Sequence, residues 1–372
     1  MKNSEDNRIV LTLDAGGTNF VFTAIQGNTQ LLDEIILPPH ADNLGKCLST
    51  IVDGFTRVKE KLPDAPVAIS FAFPGPADYP HGIIADLPNL PAFRGGVALG
   101  PLLQDKFGLP VFINNDGDLY AFGEAIAGYL PYINAMLENA GSPKRYKNLL
   151  GLTLGTGFGA GIAYDGNLFL GDNSIGAEIW LLRNKLNPTT NVEEHASIRG
   201  LRGLYAREAR ISFNDAPSPK EIYEIVAGKK KGDKAAAVKA FREMAEAIGD
   251  AIANAITLID GIVVIGGGLS GAAEVFLPHV VQEMNGSFTK PDGTHFRRLI
   301  ANVYNLEEPL QLEKFVRGST REISVYGTDR RIQYDSEMRI GVGISRIGTS
   351  KAISLGAYAF ALNSLDSQRS RG

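Results

Sequence analysis

Residues 11–25 read LTLDAGGTNFVFTAI, and the organisation of the chain follows from them. Two runs of β-formers, residues 9–13 and 20–25, flank Asp14-Ala15-Gly16-Gly17-Thr18-Asn19. This pattern predicts a hairpin whose turn opens at Asp14 and uses Gly16 and Gly17 for backbone angles that side chains resist. The turn also has a chemistry. Glycine amides with the Thr18 hydroxyl cradle phosphate oxygens, and an Asp closing the first strand holds a hydrated Mg²⁺ beside them. A tight hairpin with no ligand fits the same residues. Residues 150–164, LGLTLGTGFGAGIAY, repeat the plan: an apolar strand, Gly155-Thr156-Gly157, then a second strand containing Gly159 and Gly161. Asp165-Gly166 predicts a further hairpin turn. Two strand–glycine-turn–strand units suggest two similar halves, each offering a phosphate loop to one nucleotide.

The chain has 372 residues, 44% hydrophobic and 21% charged, as expected for a globular enzyme of two domains. A net charge of −4 argues against a nucleic-acid-binding surface. The densest basic run, Lys229 to Lys231, reads as a solvated loop ahead of a helix. A single cysteine, Cys47, excludes an intramolecular disulfide and a cysteine-rich zinc site. The polar N-terminus and the lack of a long apolar run predict no signal peptide, no membrane span and a cytoplasmic location.

In chain order the pattern is α/β with a mixed sheet. A third strand is expected near 31–37, a helix over 43–61, and strands at 66–73 and 82–86. A helix over about 97–107 then leads into a strand at 110–114. Pro74-Gly75-Pro76 and the proline-flanked Asn89 form stiff loops between these elements. Asn114-Asn115-Asp116-Gly117-Asp118 ends a strand and opens a helix, where open α/β sheets bind ligands. Asp116 is placed to take a proton from a substrate hydroxyl that Asn115 orients. The plainer possibility is that Asp116 or Asp118 only caps the helix. Glu178 and Glu193 fall in polar loops; they suit a polyhydroxylated substrate or, equally, a solvated surface. Val238, Phe241, Ala245, Ile248, Ile252 and Ile256 mark one apolar helical stripe. Residues 261–270, GIVVIGGGLS, predict a buried strand, Gly266-Gly267-Gly268, and a helix capped by Ser270. The triple glycine is not a dinucleotide fingerprint, although it lets an adenine or ribose lie against the backbone. Residues 285–340 read as β-hairpins or an insertion, and an Ala/Gly-rich helix follows from Ser350.

Taken together, these motifs resemble the ROK family of sugar kinases and repressors, within the actin-like ATPase superfamily. The resemblance implies a two-domain α/β fold of the actin-like (ribonuclease H-like) type with a cleft between the domains. Residues 1–118 would form a small N-terminal domain completed by a C-terminal helix at about 350–365. Residues 119–349 would form a larger domain carrying the 285–340 insertion. By the same resemblance Asp14, Gly16, Gly17, Thr18 and Asn19 form the first phosphate motif and Gly155, Thr156 and Gly157 the second. Gly266, Gly267 and Gly268 are implied to meet the adenosine. Asp116 is implied to be the general base, and Gly75, Asn89, Asn115, Glu178 and Glu193 to bind the sugar.

Two departures qualify the likeness. Family members carry G-E-I-G-H, whose His contacts sugar and often zinc; Glu178-Ile179-Trp180-Leu181 puts leucine there. The following cysteines are missing too, with Asn191 in place of one, so no zinc site is expected and His195 is expected to be structural. Trp180 is then available to stack on a sugar face. The function implied is an ATP- and Mg²⁺-dependent kinase for a glucose-like hexose or an N-acyl hexosamine, in a homodimer. The alternative is a non-catalytic sugar-binding or sugar-sensing relative. Repressors of the family carry a helix-turn-helix ahead of the kinase-like part, and a first strand at Ile9 leaves no space for one.

Overall fold

A computed structural model of the chain describes residues 5–15, 19–87 and 90–369. Gly16, Gly17, Thr18 and Asn89 of the expected site lie outside the described residues. The chain divides into two compact units: Met1–Gly128, Gly161–Ala177 and Ile347–Gly372 form the first, Tyr129–Ala160 and Glu178–Arg346 the second.

In the first unit, β1 (Val10–Ala15) and β2 (Phe20–Gln26) pair antiparallel as the hairpin pattern requires. Of the strand expected near 31–37 only β4 (Ile35–Leu37) forms, and a short β3 (Thr29–Gln30) precedes that range, both on β2. Helix α1 (Leu44–Glu60) starts where the Asn43 side chain accepts the Lys46 N–H, and buries Cys47, Ile51, Phe55 and Val58. Strand β5 (Ala68–Ala72) follows, then a small sheet of β6 (Ala77–Asp78), β7 (Ile83–Ile84) and β8 (Val97–Ala98). Helix α2 (Leu99–Phe107) leads to β9 (Val111–Asn114) and α3 (Asp116–Ile126). The main sheet runs β3-β2-β1-β5-β9, with β1, β5 and β9 parallel. One face of β1 and β2 (Leu11, Leu13, Phe20, Phe22) packs with Phe55 and Phe71 into a buried aromatic core.

The second unit begins with α4 (Tyr129–Asn139), a helix that the sequence pattern did not single out, and β10 (Asn148–Leu154). β11 (Phe158–Tyr164) follows, its residues from Gly161 on belonging to the first unit, and turns at Asp165-Gly166, both at positive φ, into β12 (Asn167–Phe169), also of the first unit. Then come α5 (Ile198–Ala209), α6 (Pro219–Val226) and α7 (Lys234–Ile259). On α7 the expected stripe is buried except for Val238, which is exposed. Strand β13 (Ile262–Gly266) is buried throughout and is followed by α8 (Ala273–Met284). Ser270 does not cap α8. It sits in a 3₁₀ turn, Gly268–Ala272, and its hydroxyl donates back to the Gly267 carbonyl at 2.7 Å.

The 285–340 region is not one insertion. Two exposed hairpins, β14 (Ser287–Thr289) with β15 (His295–Arg297) and β17 (Thr320–Ser324) with β18 (Arg331–Asp335), alternate with β16 (Asn302–Asn305) and α9 (Pro309–Arg317). β16 and β19 (Arg339–Ile344) belong to the parallel run β10-β13-β19-β16. The chain closes with α10 (Thr349–Arg369), which belongs to the first unit. Among the described residues no helix is long and apolar enough to cross a membrane.

α3 and α10 touch backbone to backbone. A Cβ at Gly123 would overlap the Ala352 carbonyl, and one at Gly356 would overlap the Leu119 carbonyl. Gly161 of β11 lies as close to the start of α3, where an added Cβ would stand 2.7 Å from the Asp118 Cα. Neither helix backbone is able to retreat without reopening the buried layer beneath it. Gly356→Ala is therefore expected to cost about 1–3 kcal/mol, or more, as overpacking does. Thermal denaturation checks this: a melting temperature equal to that of the parent chain would contradict the contact.

Candidate active site

Parallel pairing assembles the first unit's share of the site. Asp14 is opposite Ala72 across β1 and β5, and Ala72 is opposite Asn114 across β5 and β9. Asp14, the Phe73–Gly75 loop and Asn115–Asp116 therefore leave one edge of the sheet. Strand spacing puts the Asp14 and Asn114 backbones about 10 Å apart. Gly75 precedes a cis bond to Pro76, and its open face lies against the Tyr79 hydroxyl, which donates to the Phe73 carbonyl at 3.0 Å. Asn19 is exposed at the start of β2.

The cap of α3 is neither Asp116 nor Asp118. Asn115 holds the extended N-cap conformation, and its Oδ1 accepts the Gly117 N–H at 2.8 Å. Asp118 is buried. Asp116 opens the helix, and its Oδ1 shares the same Gly117 N–H at 2.8 Å. Its surface remains open to water on one side, while protein atoms crowd the others. That crowding pushes the carboxyl above its usual range; the Gly117 N–H opposes the shift and the Asp14 charge adds to it. Asp14 also lines a pocket of about 450 Å³ with Thr23, Glu34, Ser350 and Lys351.

In the second unit the same device joins two motifs distant in sequence. β10 and β13 run parallel with Thr153 opposite Gly266, so the turn at Gly155–Gly157 and the triple glycine emerge side by side. Gly267 has φ 88°, and a Cβ there would overlap the Leu154 backbone. Gly155 and Gly268 differ: a Cβ on either meets nothing within 4 Å, so each presents bare backbone to open space. Thr156 is exposed between them. The Ile198 N–H donates to the Gly155 carbonyl at 2.8 Å, and the Phe158 N–H to Glu193 Oε2 at 3.0 Å. Glu193 thus sits on the glycine turn, a placement that its own sequence neighbourhood does not indicate.

Glu178 heads a 3₁₀ turn, Ile179–Leu181, and accepts a hydrogen bond from the Trp180 indole. Leu181 is 58% exposed. His195 is buried with Nδ1 2.6 Å from Asn184 Nδ2, and burial lowers its pKa. Among the described residues no group of three His, Cys, Asp or Glu side chains is arranged around a metal position.

Two matched strand–turn–strand units ahead of parallel strands define the α/β fold of the actin-like ATPases. The ROK family profile matches residues 10–307, and the chain belongs to that family. The chain is 27% identical over 268 residues to N-acetyl-D-glucosamine kinase of Vibrio cholerae, covering 69% of this chain and 83% of that one. It is 26% identical over 283 residues to glucokinase of Thermotoga maritima, covering 72% and 84%. The crystal structure of glucokinase from Parabacteroides distasonis superposes with a TM-score of 0.89 at 55% identity, covering 98% of this chain and 99% of that one.

The raised Asp116 pKa has a consequence for stability. A carboxyl whose folded pKa lies above its unfolded value of about 3.9 costs the fold stability as pH rises through the interval between the two. Above that interval the cost is full, and below it the cost vanishes. Asp116→Asn keeps an acceptor for the Gly117 N–H and carries no charge. It is expected to melt higher than the parent chain at pH 7, with the difference closing near pH 3. Equal melting temperatures at pH 7 would contradict the shift.

Proposed function

We propose that the chain is an ATP-dependent hexose kinase, acting on a glucose-like hexose or an N-acyl hexosamine, with Asp116 as general base. The observation that carries this reading is the Asp116 carboxyl, which has its proton affinity raised and is not needed as the helix cap. A base with a raised pKa draws a proton from a sugar hydroxyl better than an ordinary carboxylate does. The hydroxyl oxygen attacks the γ-phosphorus as Asp116 takes its proton, the bond from that phosphorus to the β,γ-bridging oxygen breaks, and ADP leaves with the bridging oxygen. Asn115, Asn89, Gly75, Glu178 and Glu193 hold the sugar. The names of the relatives, glucokinase and N-acetyl-D-glucosamine kinase, support both substrate classes.

The nucleotide phosphates are assigned to Asp14, Gly16, Gly17, Thr18 and Asn19 and to Gly155, Thr156 and Gly157, the adenosine to Gly266, Gly267 and Gly268. The open faces of Gly155 and Gly268 fit a ligand pressed against backbone. The donor set also fits Mg²⁺, a hard cation: two carboxylates, Asp14 and Asp116, stand close enough for one to raise the other's pKa. Asp14 would hold the ion through water, and when bound the ion neutralises phosphate charge. The rest of the catalysis is positioning and electrostatics. The family resemblance further supports a cytoplasmic homodimer.

ADP release with Mg-ATP across a panel of hexoses and N-acyl hexosamines tests the reading. Sugar-dependent turnover is expected, falling about 10²–10⁴-fold in Asp116→Asn; near-normal turnover in that variant would remove Asp116 from the role. Gly268→Val, which fills the open face, is expected to raise the KM for ATP at least about tenfold and leave the sugar KM unchanged, as a 1.4 kcal/mol steric loss would. An unchanged ATP KM would move the adenosine site elsewhere.

A further inference from the structure

We propose that Glu193 is a positioning residue that couples the two substrates: one carboxylate oxygen holds the phosphate turn and the other meets a sugar hydroxyl. The inference rests on the kinase reading above and adds to it a reason for sugar and nucleotide to bind synergistically.

The geometry is a clamp. Residues 193–198 are bonded to both ends of the second glycine turn, through Phe158 N–H to Glu193 Oε2 at 3.0 Å and Ile198 N–H to the Gly155 carbonyl at 2.8 Å. Glu193 is itself fixed to the start of α5. The Ser197 hydroxyl donates to the Glu193 carbonyl at 2.8 Å and accepts the Gly200 N–H at 3.1 Å. The turn is shaped for that carboxylate: a Cβ on Gly157 would stand 2.8 Å from Glu193 Oε2, and Gly157 has no positive φ that would otherwise require glycine. The second oxygen is loosely held. Oε1 lies 4.0 Å from Arg199 Nη2, and the Arg199 guanidinium is committed to both oxygens of Glu194 at 2.8 and 2.9 Å.

The same segment is continuous with the other carboxylate of the expected sugar site. The Val192 N–H donates to the Leu182 carbonyl at 2.8 Å, and Arg183 bridges Asn191, which ties the Glu178 turn to the Glu193 turn. A sugar hydroxyl on Oε1 therefore fixes the carboxylate whose other oxygen orients Phe158 N–H, and a phosphate seated on the turn fixes the same carboxylate from the other side. Each ligand removes freedom that the other would have to remove, which is a coupling free energy and is reciprocal.

Equilibrium titration of the full chain with Mg-AMPPNP, with and without saturating glucose or N-acetylglucosamine, reads the coupling. Trp180, the one tryptophan in the chain, is hydrogen-bonded to Glu178 and supplies a fluorescence signal for the sugar. In the parent chain the sugar is expected to tighten AMPPNP at least about fivefold, and AMPPNP to tighten the sugar by the same factor. In Glu193→Ala the factor falls to about one while each ligand still binds alone. Gly157→Ala keeps Glu193 and displaces its carboxylate, so it gives the same collapse without removing the charge, and it decides the matter if Glu193→Ala does not fold. A factor of one in the parent chain, or an undiminished factor in Gly157→Ala, overturns the proposal in an enzyme that turns over. Absence of sugar-dependent ADP release from the parent chain overturns the kinase reading instead.

Discussion

Parallel strand pairing is the constraint on which the rest of this molecule depends. Antiparallel neighbours send their loops to opposite edges of a sheet in alternation, whereas parallel neighbours need a crossover and so release every following loop at one edge. Here β1, β5 and β9 are in register at Asp14, Ala72 and Asn114, and β10 and β13 at Thr153 and Gly266. Residues 14, 75, 115 and 116 share one edge for that reason alone, as do residues 155 and 267 in the second unit. The crossovers must then be covered on the sheet faces, which explains the buried stripes of α1 and α7. Slipping one parallel strand by a residue would turn its core face outward and carry its loop off the shared edge at the same time.

Close packing imposes the second constraint, and glycine meets it in two chemically different ways. Gly123, Gly161, Gly267 and Gly356 are glycine because another backbone occupies the place of a Cβ. Gly155 and Gly268 are glycine beside open space. In the sequence these residues look alike. The two hairpin turns and the triple glycine at 266–268 stood out in the sequence because each pattern is local and needs no partner to be recognised. The Gly123–Gly356 contact joins residues far apart in the chain; the Ala/Gly-rich sequence after Ser350 pointed to close packing on a sheet, but nothing in it named α3 as the partner.

The same distinction explains which parts of the fold and the site were legible. The hairpins, α1, α2 and the buried strand β13 follow from short-range periodicity and came out nearly at their observed limits. The region 285–340 did not. β16 is four residues long, β19 is buried on both faces and so lacks alternation, and exposed hairpins with strongly polar sequences surround them. Arg339 shows how misleading polarity is there. Its guanidinium is fully buried, bonded to Asp335 and the Phe315 carbonyl beside the ring of Phe315, although the residue reads as surface. Val238 errs the other way, an apolar residue on the expected stripe that faces water, because the buried face at that end of α7 runs through Ala236, Ala237 and Ala240 instead.

At the site itself, residue type was legible and division of labour was not. Asn115, Asp116 and Asp118 stand together in a sequence where any of them could cap a helix. The extended backbone of Asn115 settles which one does, and this leaves Asp116 at the first helical position, where its carboxyl is crowded by protein rather than consumed by the cap. Glu193 is the converse case. Its own neighbours, Val192 and Glu194, suggest a solvated loop, yet an amide 35 positions away fixes one of its oxygens. A carboxylate with one oxygen on backbone and the other near only a distant, already paired guanidinium is a two-sided connector by construction. The glycine turn leaves space for that carboxylate, since a Cβ at Gly157 would stand 2.8 Å from Glu193 Oε2 and make the side chain shift. Glycine at 157 and glutamate at 193 thus meet at one point of the turn.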